Sequence, residues 1–415
     1  MANRSILVVG GGMSGITAAV EAAEARCQVF LIEKKPYLGG RVTQINEYFP
    51  KMCPPNCGLE INFQRIRKNP NITVITLAEV ESISGQPGNF DVSIKVKPRY
   101  IDGDYASCEK VQQECTVERP NDFNFGLDNT KAVYFPHLFA FPPKHVVDID
   151  ALSKEQEAMK TLSEYDVINL DEEPKVMNIN VGAVIWATGW NPYDIKKISN
   201  YGGGRFENVI SNIMMERLAS ITGPTEGKIL RPSDKKEPKR IAFVQCAGSR
   251  DEHHMKCCSS VCCMATLKHV NYIRKQYPDA EVTIYFMDIR AMGKYEDYYQ
   301  NVVGKDINMI KGKPSEIKET DNKNLVILSE DQFEQKITTY EYDLVVLATG
   351  MEPSTASDKI PVDFKYDVDG FAVNGFIPGI YAAGCTRKPG DVATSVQDAT
   401  AAVIKALQSI AKEVS

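Results

Sequence analysis

No apolar run in this chain approaches the ~20 residues that a membrane-spanning helix requires. The N-terminal MANRSILVVGGG passes straight into a strand-like segment instead of a signal-peptide core. Both absences lead to the expectation of a cytoplasmic chain. A basic block is missing as well: 48 Lys+Arg stand against 54 Asp+Glu, the net charge is −6, and arginines do not interleave with aromatics, so a nucleic-acid surface has no support. What is present is bulk and sulfur. With 415 residues, 43% of them hydrophobic and 25% charged, the chain can bury a large core over roughly two to three domains. Cysteine is abundant at 11, an odd number, and five of the eleven crowd between positions 246 and 263. That pattern argues against a secreted disulfide scaffold and for a metal or redox site.

The first chemistry-bearing pattern is at the start. SILVV at 5 to 9 is a short β-branched run, followed by Gly10-Gly11-Gly12-Met13-Ser14-Gly15 and then by the helical ITAAVEAAEA. A second strand, QVFLI, ends at Glu33. In a dinucleotide fingerprint of this form Gly10 makes the turn, Gly12 lets backbone approach a pyrophosphate, Gly15 allows close helix packing and Glu33 accepts hydrogen bonds from a ribose. The fingerprint alone does not choose between NAD and FAD. Lys34 and Gly39-Gly40-Arg41 follow, and AVIWATGW (183 to 190) and LVVLATGM (344 to 351) form an internal repeat, each preceded by a hairpin-like stretch and followed by a proline. GIYAAGC (379 to 385) reads as a strand and DVATSVQDATAAVIKALQSIAKEV as a capped final helix.

These elements, in this order, resemble flavoproteins with two dinucleotide-binding domains, the flavin disulfide reductase type. The fold class implied is α/β with two Rossmann-like domains. The resemblance implies FAD held by Gly10, Gly12, Met13, Ser14, Gly15, Glu33, Lys34, Gly39, Gly40, Arg41, Val80, Thr188, Gly189, Gly384, Cys385, Thr394 and Ser395, with the last helix directing its positive end at the flavin. One departure is Gly384-Cys385, where such proteins carry Gly-Asp with the acid on the ribityl chain. The second domain of the type should open with another glycine triplet. Its strand is present at KRIAFVQ (239 to 245), but Cys246-Ala-Gly248-Ser-Arg250-Asp follows, with one glycine where three are needed, so no nicotinamide site is expected.

In its place stand Cys246, Cys257, Cys258, Cys262 and Cys263. Close thiolates suit an iron–sulfur cluster or zinc, with buried free thiols as a further alternative. The spacing of Cys246, Cys258, Cys262 and Cys263, together with GGRVTQ, VERPNDFNFGL, QCAGSRD, CSSVCCMATLKH and DIRAMGKYEDYY, resembles the flavin-bearing A-subunit family of heterodisulfide reductases along essentially the whole chain. That resemblance implies that these four ligate a [4Fe-4S] cluster and that Cys257 is spare. In the ferredoxin-like stretch only Cys108 and Cys115 remain, so a cluster there is expected to be absent. The compact form is similar to the flavoprotein of quinone-interacting membrane-bound oxidoreductase complexes of sulfate reducers. The likeness implies as partners a second flavoprotein of the same family, adenylylsulfate reductase and a membrane quinone-binding protein, and a location on the inner face of the membrane through those partners.

Of the remaining sulfurs, Cys27 reads as core. Cys53 and Cys57 could be a redox disulfide, part of a second metal site with Cys108 and Cys115, or structural thiols. His253 and His254 read as loop residues. An FAD domain is expected at 1–225 and 340–415, with an irregular insertion at about 98–175 that carries an interface, and a middle domain with the cysteines at 235–340. The function expected is electron transfer between flavin and cluster in a multi-subunit complex, with no catalytic acid or base assigned. The alternatives are a pyridine-nucleotide disulfide oxidoreductase and a redox-silent flavin scaffold.

Overall fold

The computed structural model describes residues 3–49, 51–304 and 306–412. Two units of one plan make up the chain. In the first, five parallel strands run in the order Ile380–Ala382, Ala183–Trp186, Ser5–Val9, Gln28–Glu33, Ile72–Thr76. Their near-continuous apolar sequences fit a sheet covered on both faces. Alternation does the sorting: Ile6 and Val8 face the helices, and Leu7 and Val9 face the opposite layer. On the helix side, Met13–Glu24 lies against Val392–Lys412, with Ala18, Ala19 and Ala22 meeting Ala399, Ala402 and Ala406, small side chains that let the backbones approach closely. The other face is covered by an antiparallel sheet of Ala78–Gln86, Asn89–Val96 and Lys175–Val181.

The second unit repeats this. Its parallel order is Val209–Ser211, Leu344–Thr349, Arg240–Ala247, Glu281–Phe286, Ile307–Lys311, with Ile241 and Phe243 toward the helix Cys262–Gln276 and Ala242 and Val244 toward the antiparallel sheet Pro314–Glu319, Leu325–Asp331, Lys336–Tyr342. In both units the Ala-Thr-Gly strand pairs with the unit's central strand. Each then runs into a short segment, and Trp190–Pro192 pairs antiparallel with Met351–Pro353 to tie the units together.

Two expectations need correction. Val209–Ser211 and Leu344–Thr349 lie inside the stretches assigned to the FAD domain, yet both are hydrogen-bonded into the second sheet, so the boundaries near 225 and 340 cut through it. A single buried apolar strand does not announce which of two similar sheets it will join. The insertion is not irregular: it holds the helix Tyr105–Glu114, the strand pair Glu118–Pro120 with Asn129–Lys131, and a core of its own that includes Ile101, Val111, Val147 and Leu152.

Candidate active site between the two units

The turn Gly10–Gly15 is built as its glycines require. Gly10 has φ +105, and a Cβ there would meet the Ala187 carbonyl oxygen at 2.4 Å. A Cβ on Gly15 would meet the Gly10 oxygen at 1.7 Å, so the helix Met13–Glu24 can sit on its strand only with glycine there. Gly12 differs. A Cβ on it would find only Gly40 Cα, at 3.8 Å, so the space in front of this helix N-terminus is a cradle that a side chain would fill. The helix has no side-chain cap and no acid in its first turn, which leaves its N–H groups for an anion. Glu33 is half-buried, and its carboxylate accepts from Gly11 N at 2.6 Å and Lys35 N at 2.8 Å, while loss of solvent pushes its pKa up against these bonds.

In front of the turn lies a cavity of about 480 Å³. Of the expected FAD residues it is lined by Gly12, Met13, Ser14, Glu33, Gly40, Arg41, Thr188, Gly189, Cys385 and Ser395. Gly10, Gly15 and Gly39 shape the surrounding backbone instead. Gly384, at φ +64, donates its N–H to Asp398 and packs on Ser14. Three expected residues are elsewhere. Lys34 is drawn away by Glu79 (3.3 Å) and Asp358 (3.1 Å), and Lys35 lines the cavity in its stead, its ammonium pushed down to about 8 by burial and by Arg41. Val80 packs in the apolar layer between sheets. Thr394 donates its N–H to Asp391 Oδ1 at 2.8 Å, the cap of the final helix. Asp391 itself lines the cavity, an acid close to the position where Cys385 replaces the expected one.

The far wall comes from the second unit, through Asn212, Ile213, Glu216, Val261, Ala265, Lys268 and His269. Here the reading of the sequence missed a buried charged group. Glu216 Oε1 meets Lys268 Nζ at 2.6 Å and His269 Nε2 at 2.5 Å, while Oε2 accepts from Asn46 N and Tyr272 Oη. Burial alone would raise the Glu216 carboxyl, but Lys268 and His269 outweigh it and hold it at about 2. Burial lowers His269 below its ordinary value, so its imidazole is neutral at pH 7 and Nε2–H donates to the carboxylate. Nδ1 is then a buried lone pair with no partner among the described residues, in a residue that lines the cavity. The block CSSVCCMATLKH carries Lys268 and His269; their spacing from Ala265 on one helical face was the available signal.

The same helix, Cys262–Gln276, starts with two of the clustered cysteines. Cys246, next to last in the central strand, has φ +56 and lies where the register with the neighbouring strand shifts. Burial raises the Cys262 thiol strongly, and Cys263, Cys246 and Cys258 push in the same direction. Burial also raises Cys263 to about 11, and Cys246 and Cys258 act on it too. Cys257 faces away: its N–H donates to Asp369, and burial followed by Asp369 pushes its thiol up to about 12. Thus Cys246, Cys258, Cys262 and Cys263 are mutual neighbours. Among the described residues no three His, Cys, Asp or Glu side chains close round a single ion. Four soft donors in one neighbourhood have the chemistry that an iron–sulfur group or zinc requires.

The other sulfurs are separate. Cys27 is in the core, Cys53 and Cys57 are exposed, and Cys108 and Cys115 lie in the apolar core of the insertion. His253 is exposed, and His254 Nδ1 pairs with Tyr193 Oη at 2.8 Å.

The FAD dependent oxidoreductase family matches residues 5–54. The iron-sulfur A subunit of a CoB–CoM heterodisulfide reductase of Methanopyrus kandleri is 40% identical over 98% of this chain, and the A subunit of the H2:CoB-CoM heterodisulfide,ferredoxin reductase of Methanothermobacter thermautotrophicus is 39% identical over 96%. The chain spans 64% and 63% of the lengths of these two relatives. Among solved structures, the bacillithiol disulfide reductase Bdr of Bacillus cereus superposes with a TM-score of 0.54 at 13% identity, covering 99% of both chains. The thioredoxin reductase of T. acidophilum gives 0.52 at 16%, covering 99% of this chain and 100% of the other. The fold is therefore that of the FAD-dependent disulfide reductases.

Proposed function

For a chain homologous over nearly its whole length to the A subunits of heterodisulfide reductases, we propose an electron-transfer protein that holds FAD in the inter-unit cavity and a [4Fe-4S] cluster on Cys246, Cys258, Cys262 and Cys263. The observation that carries this reading is one helix. Cys262–Gln276 begins with two thiols and, within two turns, presents Ala265, Lys268 and His269 to the cavity. When bound, the flavin exchanges electrons in pairs and the cluster exchanges them singly.

The chain's own residues would do the rest. Gly12 and the N–H groups after it would take the pyrophosphate, and Glu33 the ribose. Lys268 would present a fixed positive charge to the cavity, and Glu216 holds that lysine in place. His269 Nδ1 offers a site that can accept a proton inside the buried wall. Ala187 and Met351 add apolar surface to the cavity wall.

The partners in this reading are the other members of a redox complex: a second flavoprotein of the same kind, a membrane quinone-binding protein, and adenylylsulfate reductase in sulfate respiration. No helix among the described residues is long and apolar enough to cross a membrane, so attachment to the inner face would run through partners. Anaerobically assembled protein should contain about four irons and four acid-labile sulfides per flavin. Flavin without iron would overturn the cluster, and with it the electron-transfer role. To test the partner assignment, the reduced complex is offered adenylylsulfate reductase with its substrate, or a heterodisulfide. Reoxidation by the first supports the sulfate-respiration reading, and reoxidation by the second alone replaces it.

A further inference from the structure

A second cavity, of about 610 Å³, opens on the other side of Arg41. Arg41 and Asn191 line both cavities, and Arg41 Nη2 donates to Asn191 Oδ1 at 2.5 Å, so this pair is the shared wall. Lys196, Arg205 and Lys235 stand around the second cavity. Among the described residues none of these four cations has a carboxylate within ion-pair distance, whereas their neighbours Lys197, Arg231 and Lys236 are all paired. Two carboxylates reach the lining, leaving a net charge of +2. One of them, Asp194, is already engaged by the Lys196 backbone N–H.

The backbone is adapted to this arrangement. Gly204 has φ +73, and a Cβ there would meet Lys196 Cγ at 2.6 Å, so the glycine lets the lysine stem lie across the turn at the cavity rim. Part of the wall is apolar, with Phe125, Leu127, Met214 and Pro232. A bare inorganic ion would satisfy the cations and leave that wall wet. A cavity of this size, part cationic and part apolar, has the dimensions and composition of a small-molecule site. Unpaired cations within one concave surface favour a multiply charged anion.

We propose that this second cavity binds a nucleotide-sized phosphate ester, with the phosphates on Lys196, Arg205 and Lys235 and the organic part against Phe125, Leu127 and Met214. Through Arg41 and Asn191 the bound ester touches the wall of the flavin cavity. Nothing in this assignment depends on what the cysteines hold.

The test is calorimetric titration of the purified, flavin-containing chain with ADP, AMP, adenosine and inorganic pyrophosphate, with flavin content recorded before and after. Saturable binding of ADP or AMP, without adenosine binding and without flavin release, is expected. Arg205→Glu and Lys235→Glu are exposed substitutions that leave the fold intact; each should weaken nucleotide binding by about tenfold or more and leave flavin content unchanged. Failure of all four probes to bind overturns the proposal, as does unchanged affinity in both variants. Displacement of flavin by ADP would place the nucleotide in the first cavity and overturns it too. Pyrophosphate binding as tightly as ADP would remove the organic half of the assignment.

Discussion

At the scale of single residues, the buried Glu216–Lys268–His269 group and the cysteine cluster carry the sharpest consequences. Both partners of the Glu216–Lys268 pair are 4% exposed, so removing one leaves the other uncompensated in the interior. Lys268→Met should cost about 3–5 kcal/mol in chemical denaturation. The double variant with Glu216→Gln should recover much of that loss, because no bare charge remains. The Glu216 pKa lies below its usual 4.5, at about 2, so the folded state binds this proton less readily than the unfolded chain. The stability linked to it, about 3 kcal/mol, is fully present above pH 4.5 and is lost as pH falls toward 2. Among the cysteines, Ser at 246, 258, 262 or 263 should lower iron per flavin strongly, since alkoxide is a poorer partner for iron than thiolate. Cys257→Ser should retain the iron, because that residue turns toward Asp369. Loss in the Cys257 variant with retention in the Cys258 variant would reverse the choice within the pair.

At the scale of elements, the glycine turn separates folding from binding. Gly15→Ala drives a methyl into the Gly10 oxygen at 1.7 Å and should destabilise the first unit. A Cβ at Gly12 meets nothing closer than Gly40 Cα at 3.8 Å, so Gly12→Val should fold with a near-normal melting temperature and yet purify without flavin. Retained flavin in that variant would mean that the turn does not hold it. The insertion offers a pH test. His137 stacks on Phe123 at 4.7 Å and meets the Tyr37 edge at 4.7 Å, and burial, then Arg217, holds its pKa down to about 3. The unfolded chain therefore takes up this proton first. Stability falls as pH drops from 6.5 toward 3, by up to about 1.4 kcal/mol per unit. His137→Phe keeps the stacking and should flatten that slope in melting curves taken between pH 6.5 and 5.

At the scale of the whole molecule, two copies of one plan face each other across the cavity, and they differ where their central strands end. The first ends in a tight glycine turn. In the second, residues 248 to 261 intervene before the helix, and this loop carries Cys257 and Cys258. NADH and NADPH should accordingly fail to bleach the bound flavin at a useful rate when mixed anaerobically with the protein. Rapid bleaching would favour the disulfide oxidoreductase alternative.

The β-branched run SILVV, the fingerprint glycines and the Ala-Thr-Gly repeat determined the strands and the two-unit plan by themselves, because strand propensity and turn geometry depend on a few neighbouring residues. Which sheet Val209–Ser211 and Leu344–Thr349 would join was decided only by tertiary pairing, since a short apolar strand suits either unit. The choice between Lys34 and Lys35 was also tertiary. Glu79 and Asp358, 45 and 324 residues away in the chain, pull one lysine out, and the cavity keeps the other. One helical face could have pointed to Lys268 and His269, but their union with Glu216 was tertiary for the same reason: its charges are compatible with burial only when they meet, and they meet only when two helices 42 residues apart pack together.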